Sequence, residues 1–231
     1  MRIVFWGSER GNSITSNMLI VASYLACRKG YRIAMMELAE EQWGIENCFP
    51  KIGEYHMEEY IGTLIRRQLY YVSEKEWEKQ EIILPKLIQY LELNMDLVFI
   101  NLANRTDQMA KYLMWNADLV IVNLKQRNVD FDRYYAQYAN LSSKIFLLIG
   151  NYYENELCNK ESIQKKYRIP KEQLAVIPNN PEYQMACERG CLERYMRHMQ
   201  PRFVSAIKEQ FIKEVENTLE QIYFALQLER Y

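Results

Sequence analysis

The sequence predicts an α/β fold of three layers, in which a mostly parallel sheet is covered by helices on both faces. Short apolar runs, typical of buried strands, alternate along the chain with segments whose apolar residues recur at helical spacing. Hydrophobic residues make up 49% of the 231 residues and charged residues 26%, as in ordinary globular proteins. No repeat, low-complexity tract or linker interrupts the pattern. We therefore expect residues 1–231 to form a single domain.

The predicted strands are apolar runs that mostly lack the polar alternation of strands with one face in water. This composition is typical of parallel strands that are buried on both faces. The predicted strands are Arg2–Trp6, Ile33–Met36, Asp96–Leu102, Ala117–Leu124, Lys144–Gly150 and Leu174–Ile177. Because the strands alternate with helices, we expect them to pair in parallel with their carboxyl ends at one edge.

The segments between the strands are predicted to be mainly helical. The first helix carries apolar residues from Ile14 to Leu25 and is expected to end at Gly30. Pro85 is expected to break or kink the third helical segment, and Glu41–Tyr55 has no clean period and is predicted to be a loop. The remaining helical segments are Met57–Gln68, Ser73–Leu93, Asp107–Trp115, Phe131–Leu141, Glu161–Tyr167, Pro181–Arg189 and about 204–228.

Charge and hydropathy argue against two classes of partner. Lys and Arg number 29 against 30 Asp and Glu, so no global positive field exists to hold nucleic acid, and a nucleic-acid partner is not expected. The longest apolar runs are far too short to span a bilayer. The first residues reach Gly7 without the apolar core of a secretory signal, so the expected compartment is the cytoplasm.

The five cysteines predict neither disulfides nor a metal site. Their odd number and irregular spacing argue against a disulfide framework. Cys187 and Cys191 lie four residues apart, and His198 follows them. A zinc site needs four convergent ligands, and no second pair stands nearby, so no metal ligands are predicted.

The loop from Gly7 to Thr15, after the first strand, is the prime candidate for a binding site. A loop that enters a helix presents free backbone N–H groups and the positive end of the helix dipole, which suit phosphate. A working phosphate loop reads GxxxxGK[ST], and its Lys contacts the β- and γ-phosphates. No Lys occurs between Met1 and Arg28. Considered alone, Gly11 is explained by a turn and Thr15 by the start of a helix.

The order of landmarks along the chain nevertheless resembles the ParA/MinD family of P-loop ATPases. The loop of that family reads Lys-Gly-Gly-x-Gly-Lys-Thr-Thr and is followed by a helix that ends in Leu-Ala. Counting back from Leu25 and Ala26 places residues 9–16 on this loop. Gly11 and Thr15 then match the family pattern.

Three loop positions depart from that pattern. Ser13 stands where the family has Gly, and Ile14 stands at the phosphate-binding Lys. Glu9 stands at the signature Lys, which in the family reaches the nucleotide of the partner subunit. The resemblance therefore implies a phosphate loop without its cations.

Later landmarks follow in the family's order and also depart from it. Glu37 replaces the first Asp of the Asp-x-Asp strand end, and Ala39 replaces the Asp that helps to activate water. Asn101 stands at the Asp that supports Mg²⁺. Asn151 resembles the Asn that touches adenine, and Pro178 belongs to a segment that resembles the Ile-Pro loop.

The resemblance covers nearly the full length and implies a P-loop NTPase-like fold. It assigns no catalytic residue, and it implies ATP or ADP with Mg²⁺ as a weakly bound cofactor, with no cofactor as the alternative. The implied nucleotide-binding residues are Gly11, Ser13, Thr15, Ser16, Asn101, Asn151 and Pro178.

The implied function is that of a degenerate ParA/MinD-like localisation or scaffold factor with weak or absent ATP hydrolysis. CpaE- and TadZ-like relatives suggest a bacterial pilus or secretion assembly, with protein partners and a homodimer. One alternative is an active ATPase whose cation comes from elsewhere, for example Arg10 or a partner chain. The other is a DNA-partitioning protein. Peripheral membrane association is less favoured than core packing of the last helix, whose residues Glu214, Glu216 and Glu220 oppose anionic lipid.

Overall fold

The computed structural model describes residues 1–38, 45, 55–56, 61–65, 69–72, 84–140, 144–192, 194–195 and 206–227. Nine strands in this part of the chain form one sheet. In chain order they are β1 (Arg2–Gly7), β2 (Ile33–Glu37), β3 (Tyr55–His56), β4 (Ile61–Ile65), β5 (Leu69–Val72), β6 (Leu97–Asn101), β7 (Leu119–Leu124), β8 (Ile145–Tyr152) and β9 (Leu174–Pro178).

The spatial order of the strands is β3-β4-β5-β2-β6-β1-β7-β8-β9. All neighbours from β5 to β9 pair in parallel. The antiparallel strands β3 and β4 extend one edge. The predicted mostly parallel sheet is confirmed, and the loop after β1 lies at the carboxyl edge as expected.

Helices cover both faces of the sheet, which confirms the three-layer prediction. In chain order they are α1 (Ile14–Tyr24), α2 (Leu84–Asn94), α3 (Gln108–Trp115), α4 (Asn128–Gln137), α5 (Lys160–Tyr167), α6 (Pro181–Glu188) and α7 (Ala206–Gln227). A π-helical turn, Leu25–Lys29, extends α1 and ends at Gly30, whose φ is 75°. A 3₁₀ turn, Lys171–Gln173, precedes β9.

The core has two halves because successive strand residues point to opposite faces of the sheet. In β1, Ile3 and Phe5 pack with α1, α6 and α7 on one face. Val4 and Trp6 pack with α2, α3, α4 and α5 on the other face. The central strand thus has no solvent-facing side, which explains its continuous apolar run.

The C-terminal helix α7 packs on the core, as its apolar spacing predicts. Phe211, Val215, Leu219, Ile222 and Leu226 are buried along one side of the helix. None of the helices in the described ranges combines the length and the apolar character that crossing a membrane requires.

The prediction of a helix over Met57–Gln68 is wrong. Residues Ile61–Ile65 form β4, which pairs antiparallel with β5. The segment holds Ile61, Thr63 and Ile65, whose branched side chains favour strands, and hydrogen bonding to a neighbouring strand overrides a weak helical period. The other residues of that predicted helix lie outside the described ranges.

Pro85 lies near the start of α2, and the break or kink expected there stays a prediction. Pro85 is the second residue of α2, where a helix has no partner for the backbone N–H that Pro lacks. The earlier part of the predicted Ser73–Leu93 segment, residues 73–83, lies outside the described part of the chain. The same holds for most of the predicted loop Glu41–Tyr55, although Tyr55 begins β3.

Candidate functional site

The loop that joins β1 to α1 turns through two left-handed residues. Gly11 has a φ of 75°, and Ser13, the N-cap residue of α1, has φ 56° and ψ 29°. A non-glycine residue in this region costs roughly 1 kcal/mol. Ser13 O accepts hydrogen bonds from Asn17 N at 2.8 Å and from Ser16 Oγ at 3.0 Å. Its hydroxyl accepts another from Asn151 Nδ2 at 2.7 Å, which offsets part of that cost.

The loop packs closely on the ends of β1 and β7. A Cβ atom at Gly7 would lie 2.8 Å from Asn12 Nδ2 and 2.9 Å from Asn123 O, so only glycine fits there. The buried Asn12 donates to Asn123 O at 2.9 Å. The side chain of Ile14, at the position of the family's Lys, is also buried and belongs to the hydrophobic core.

Buried asparagines fix α1 against the sheet beneath the loop. Asn17 Nδ2 donates to Asn123 Oδ1 at 2.8 Å, and Asn123 Nδ2 donates to Trp6 O at 3.2 Å. A Cβ atom at Gly150 would lie 2.6 Å from Asn17 Nδ2, so glycine makes room for this amide. Sequence reasoning missed Asn12, Asn17 and Asn123, although a polar residue near the end of an apolar strand is a usable signal.

Three buried side chains meet below the start of α1. The family resemblance links the positions of Thr15 and Asn101 to the nucleotide and its metal, and it places Glu37 at the first Asp of the strand end. Thr15 comes from α1, Glu37 from the end of β2 and Asn101 from the end of β6. Asn101 Nδ2 donates to Thr15 Oγ1 at 2.9 Å and to Glu37 Oε1 at 3.0 Å. Thr15 Oγ1 donates to Glu37 Oε1 at 3.3 Å. Glu37 Oε2 accepts from Ile45 N at 2.9 Å, so both carboxylate oxygens are engaged.

The orientation of the Asn101 amide follows from its other hydrogen bond. Asn101 Oδ1 accepts from Ala103 N at 2.9 Å. Turning the amide over would set an NH₂ group against that N–H group, which also donates. The NH₂ group of Asn101 therefore points at Thr15 Oγ1 and Glu37 Oε1.

This donor set does not fit Mg²⁺. The ion requires oxygen ligands in octahedral geometry, whereas an amide NH₂ group occupies the position between the hydroxyl of Thr15 and the carboxylate of Glu37. The three side chains satisfy one another by hydrogen bonding, as buried polar groups must. Within the described ranges, no cluster of three or more His, Cys, Asp and Glu residues could hold a metal ion.

A second polar group lies on the outer side of the loop. Glu9, at the position of the signature Lys, forms ion pairs with Lys125, Arg127 and Arg133. Lys125 Nζ also donates to Arg10 O at 3.1 Å, and it would lie 3.6 Å from a Cβ atom at Gly11. A lysine therefore does lie beside the loop, but it comes from the end of β7. Sequence reasoning missed it because a motif records only neighbours along the chain.

The predicted adenine-side residues lie at the ends of β8 and β9. Asn151 has a φ of 50° at an irregularity in the pairing of β8 with β9, and its Oδ1 accepts from Gln184 Nε2 at 2.9 Å. Gln184 also donates to Asn179 Oδ1 at 3.0 Å. The structure thus brings Asn151 to Ser13 and Asn101 to Thr15, while Pro178 lies further along the same edge, at the end of β9.

Pro178 lines a cavity of about 680 Å³ that opens beside β9 and α7. No residue of the phosphate loop lines it, and Glu154, Glu182 and Glu214 do. Three carboxylates repel a phosphate group, so this cavity is not a phosphate site despite its size. We assign the candidate site to the loop, where the hydrogen-bonding groups converge.

The two cysteines for which no metal site is predicted lie on α6 and just after it. Cys187 is buried on α6, and Cys191 is half-buried. His198, which follows them in the sequence, lies outside the described residues.

Similarity to known proteins is found in structure and not in sequence. No protein-family model matches the chain, and no curated protein matches it. A Borrelia burgdorferi B31 protein, described as a plasmid partition protein and bound to AMPPNP, superposes with a TM-score of 0.62 at 15% identity, covering 96% of this chain and 98% of that chain.

Two further solved structures match over a similar length. A ParA family ATPase from Chlorobium tepidum TLS has a TM-score of 0.67 at 12% identity, covering 93% of this chain and 96% of that chain. The MinC:MinD cell division protein complex of Aquifex aeolicus gives a TM-score of 0.66 at 13% identity, covering 95% and 96%. The chain therefore has the fold of the ParA and MinD ATPases.

Proposed function

We propose that this protein is a degenerate ParA/MinD-like factor that localises or scaffolds a protein assembly and hydrolyses little or no ATP. The observation that carries the proposal is the closed network of Thr15, Glu37 and Asn101. Side chains that would have to be free to support a metal are engaged with one another, and an amide donor lies between them.

The missing turnover follows from the chemistry of phosphoryl transfer. Catalysis there depends on placed positive charge and a metal ion that neutralise the developing negative charge. Ile14 contributes a buried alkyl group at the position of the phosphate-binding Lys, and Glu9 adds negative charge to the loop. Losing one well-placed donor typically costs about 3 kcal/mol of transition-state stabilisation, or roughly a hundredfold or more in rate.

Weak nucleotide binding is part of the proposal. The backbone N–H groups at the start of α1 and the positive end of its dipole are still present, and both favour phosphate binding. Gly11, Ser13, Ser16, Asn151 and Pro178 lie at the same edge of the sheet as that helix start. The AMPPNP bound by the Borrelia protein of the same fold supports a nucleotide as the ligand class.

Phosphate release by the purified protein, with ATP and Mg²⁺, tests the proposal. We expect no release above background, and no difference between the wild type and Thr15→Ala. Thr218→Ala is the matched control, since it removes a buried hydroxyl that donates to Val176 O at 2.6 Å, away from the loop. Robust turnover that Thr15→Ala abolishes and Thr218→Ala leaves intact would overturn the proposal.

A protein partner is supported by an exposed side of α3. Met109, Tyr112 and Trp115 have 38%, 51% and 71% of their surface exposed, and large apolar groups presented together in this way are typical of interaction surfaces. The MinD of the same fold is solved in complex with MinC. We extend the proposal to a homodimer and to a bacterial pilus or secretion assembly. In a pull-down, the wild type should recover the assembly partner and Trp115→Ser should not.

One observation favours a second candidate, an active ATPase with a non-standard cation. Lys125 Nζ lies beside Gly11 and bonds to the loop backbone at Arg10 O. If this amine acts on phosphate during turnover, Lys125→Ala abolishes phosphate release, whereas the exposed Lys111→Ala does not. The two candidates therefore differ in the wild type itself: the active ATPase releases phosphate, and the degenerate factor does not.

A further inference from the structure

Three basic side chains from two elements converge on a single carboxylate. Lys125 and Arg127 follow β7, and Arg133 lies on α4. Glu9 Oε2 lies 3.7 Å from Lys125 Nζ and 3.3 Å from Arg127 Nη2, and Glu9 Oε1 pairs with Arg133. We refer to Lys125, Arg127 and Arg133 as the basic triad.

The triad is held in place by contacts other than Glu9. Asp130, whose side chain is fully buried, accepts from Arg127 Nε at 2.7 Å and from Nη2 at 3.0 Å. This bond fixes the plane of the guanidinium group and raises the pKa of Arg127. Lys125 is held by Arg10 O. Removing Glu9 would therefore leave two of the three cations positioned.

The triad is also accessible, and its charge exceeds that of its acidic neighbours. The side chains of Lys125, Arg127 and Arg133 are 33%, 53% and 38% exposed, against 24% for Glu9. Three cations face the carboxylates of Glu9 and Asp130. The remaining carboxylate on this part of α4, Asp132, accepts from Tyr167 OH at 2.7 Å and lies 3.6 Å from Lys166 Nζ.

We propose that the basic triad is an oxyanion site for phosphate groups and that Glu9 is a built-in competitor that fills it. Arginine presents paired N–H donors whose geometry matches both carboxylate and phosphate oxygens, so one can replace the other. A diphosphate carries more negative charge and more acceptor oxygens than one carboxylate. Lys125 Nζ lies close to Gly11, so a ligand in the triad would touch the loop.

This inference goes beyond the proposed function, since it concerns binding and holds whether or not ATP is hydrolysed. The test measures the affinity of inorganic pyrophosphate by titration calorimetry for the wild type, Glu9→Gln and a matched control. Glu172→Gln is that control because it removes an exposed carboxylate from the 3₁₀ turn. Melting temperatures of all variants confirm that each is folded.

We expect Glu9→Gln to bind pyrophosphate about fivefold more tightly than the wild type, with a gain that shrinks as salt is added. Glu172→Gln should bind like the wild type. Adding Lys125→Ala to Glu9→Gln should remove the gain, since the positioned amine is lost. ATP should show the same gain if the phosphate groups alone are recognised.

Equal affinities for the wild type and Glu9→Gln would overturn the inference, as would a gain for ATP without one for pyrophosphate. Neither result depends on phosphate release. The failure of this inference and the failure of the pseudo-ATPase proposal are therefore separate observations.

Discussion

At the scale of single residues, the amide of Asn101 determines how the buried polar groups below α1 are arranged. Asn101 donates to Thr15 and Glu37 and so places an NH₂ group between their oxygens. Its own carbonyl oxygen is held by Ala103 N, so the arrangement has one orientation. The network of Thr15, Glu37 and Asn101 is thus complete in hydrogen bonds without a metal.

Asn101→Asp should destabilise the protein by about 2–3 kcal/mol near neutral pH, because a second buried carboxylate then faces Glu37. Repulsion raises the pKa of the carboxyl pair above its unfolded value, so the folded state binds the extra proton. The loss of stability is therefore present at about pH 8 and relieved as the pH falls towards about 5. Urea unfolding at the two pH values measures it.

Mg²⁺ provides the second measurement on that variant. We expect Mg²⁺ to raise the melting temperature of Asn101→Asp and to leave the wild type unchanged, because only the variant offers oxygens alone. The exposed Asn140→Asp controls for added charge. If Mg²⁺ raised the melting temperature of the wild type, this would contradict the conclusion that the network of Thr15, Glu37 and Asn101 does not fit Mg²⁺.

At the scale of elements, the start of α3 is set by one carboxylate that serves two donors. Asp107 is the N-cap and accepts from Ala110 N at 3.1 Å. Arg105 Nε donates to its other oxygen at 2.8 Å. The hydrogen bond from Arg105 is the main cause that lowers the pKa of Asp107 from 3.8 to about 2.

Asp107→Ala should cost about 1 kcal/mol at neutral pH, the usual effect of losing an N-cap. Because the folded pKa is lowered, this stability is present above the unfolded pKa and is lost as the pH falls towards about 2. The difference between the wild type and Asp107→Ala should therefore shrink between about pH 5 and about pH 2. Denaturant unfolding across that range measures it.

Asp107→Asn is the matched variant for this cap. Asparagine caps a helix as well as aspartate does but does not titrate, so its advantage over alanine should stay constant with pH. If the stability difference between the wild type and Asp107→Ala were also constant with pH, the negative charge of Asp107 would contribute nothing beyond capping the helix.

At the scale of the whole molecule, the loop edge is the surface where nucleotide would bridge two copies in the implied family arrangement. Here Glu9 is paired within its own chain, and no Lys stands in the loop to reach a partner's nucleotide. We infer that any dimer forms independently of nucleotide, and that the chain is a single domain whose last helix completes one half of the core.

Sedimentation velocity should therefore give the same oligomeric state with and without ATP and Mg²⁺. Glu9→Lys, which places a Lys where the family loop has one, provides the comparison. If ATP promotes dimerisation of this variant and not of the wild type, Glu9 accounts for the independence from nucleotide. A wild-type monomer that dimerises only when ATP is added would contradict the prediction.

Six of the nine described strands and most helices were predictable because burial leaves a periodic record in the sequence. Strand β1, apolar on both faces, and helix α7, with its buried stripe, are readable from spacing alone. Strand β4 was not readable, because five residues that include Gly62 carry too little pattern to outweigh a helical prediction. Its pairing with β5 decided its conformation.

The sequence by itself determined the order of most elements, the edge at which the loop lies, and the absence of lysine from that loop. Only the tertiary structure decided which side chains meet around the loop. Thr15, Glu37 and Asn101 are 22 to 86 residues apart along the chain, and Lys125 is 115 residues from Arg10. Hydrogen bonds and ion pairs form between groups that the fold brings within about 3–4 Å. No spacing rule along the chain records that approach.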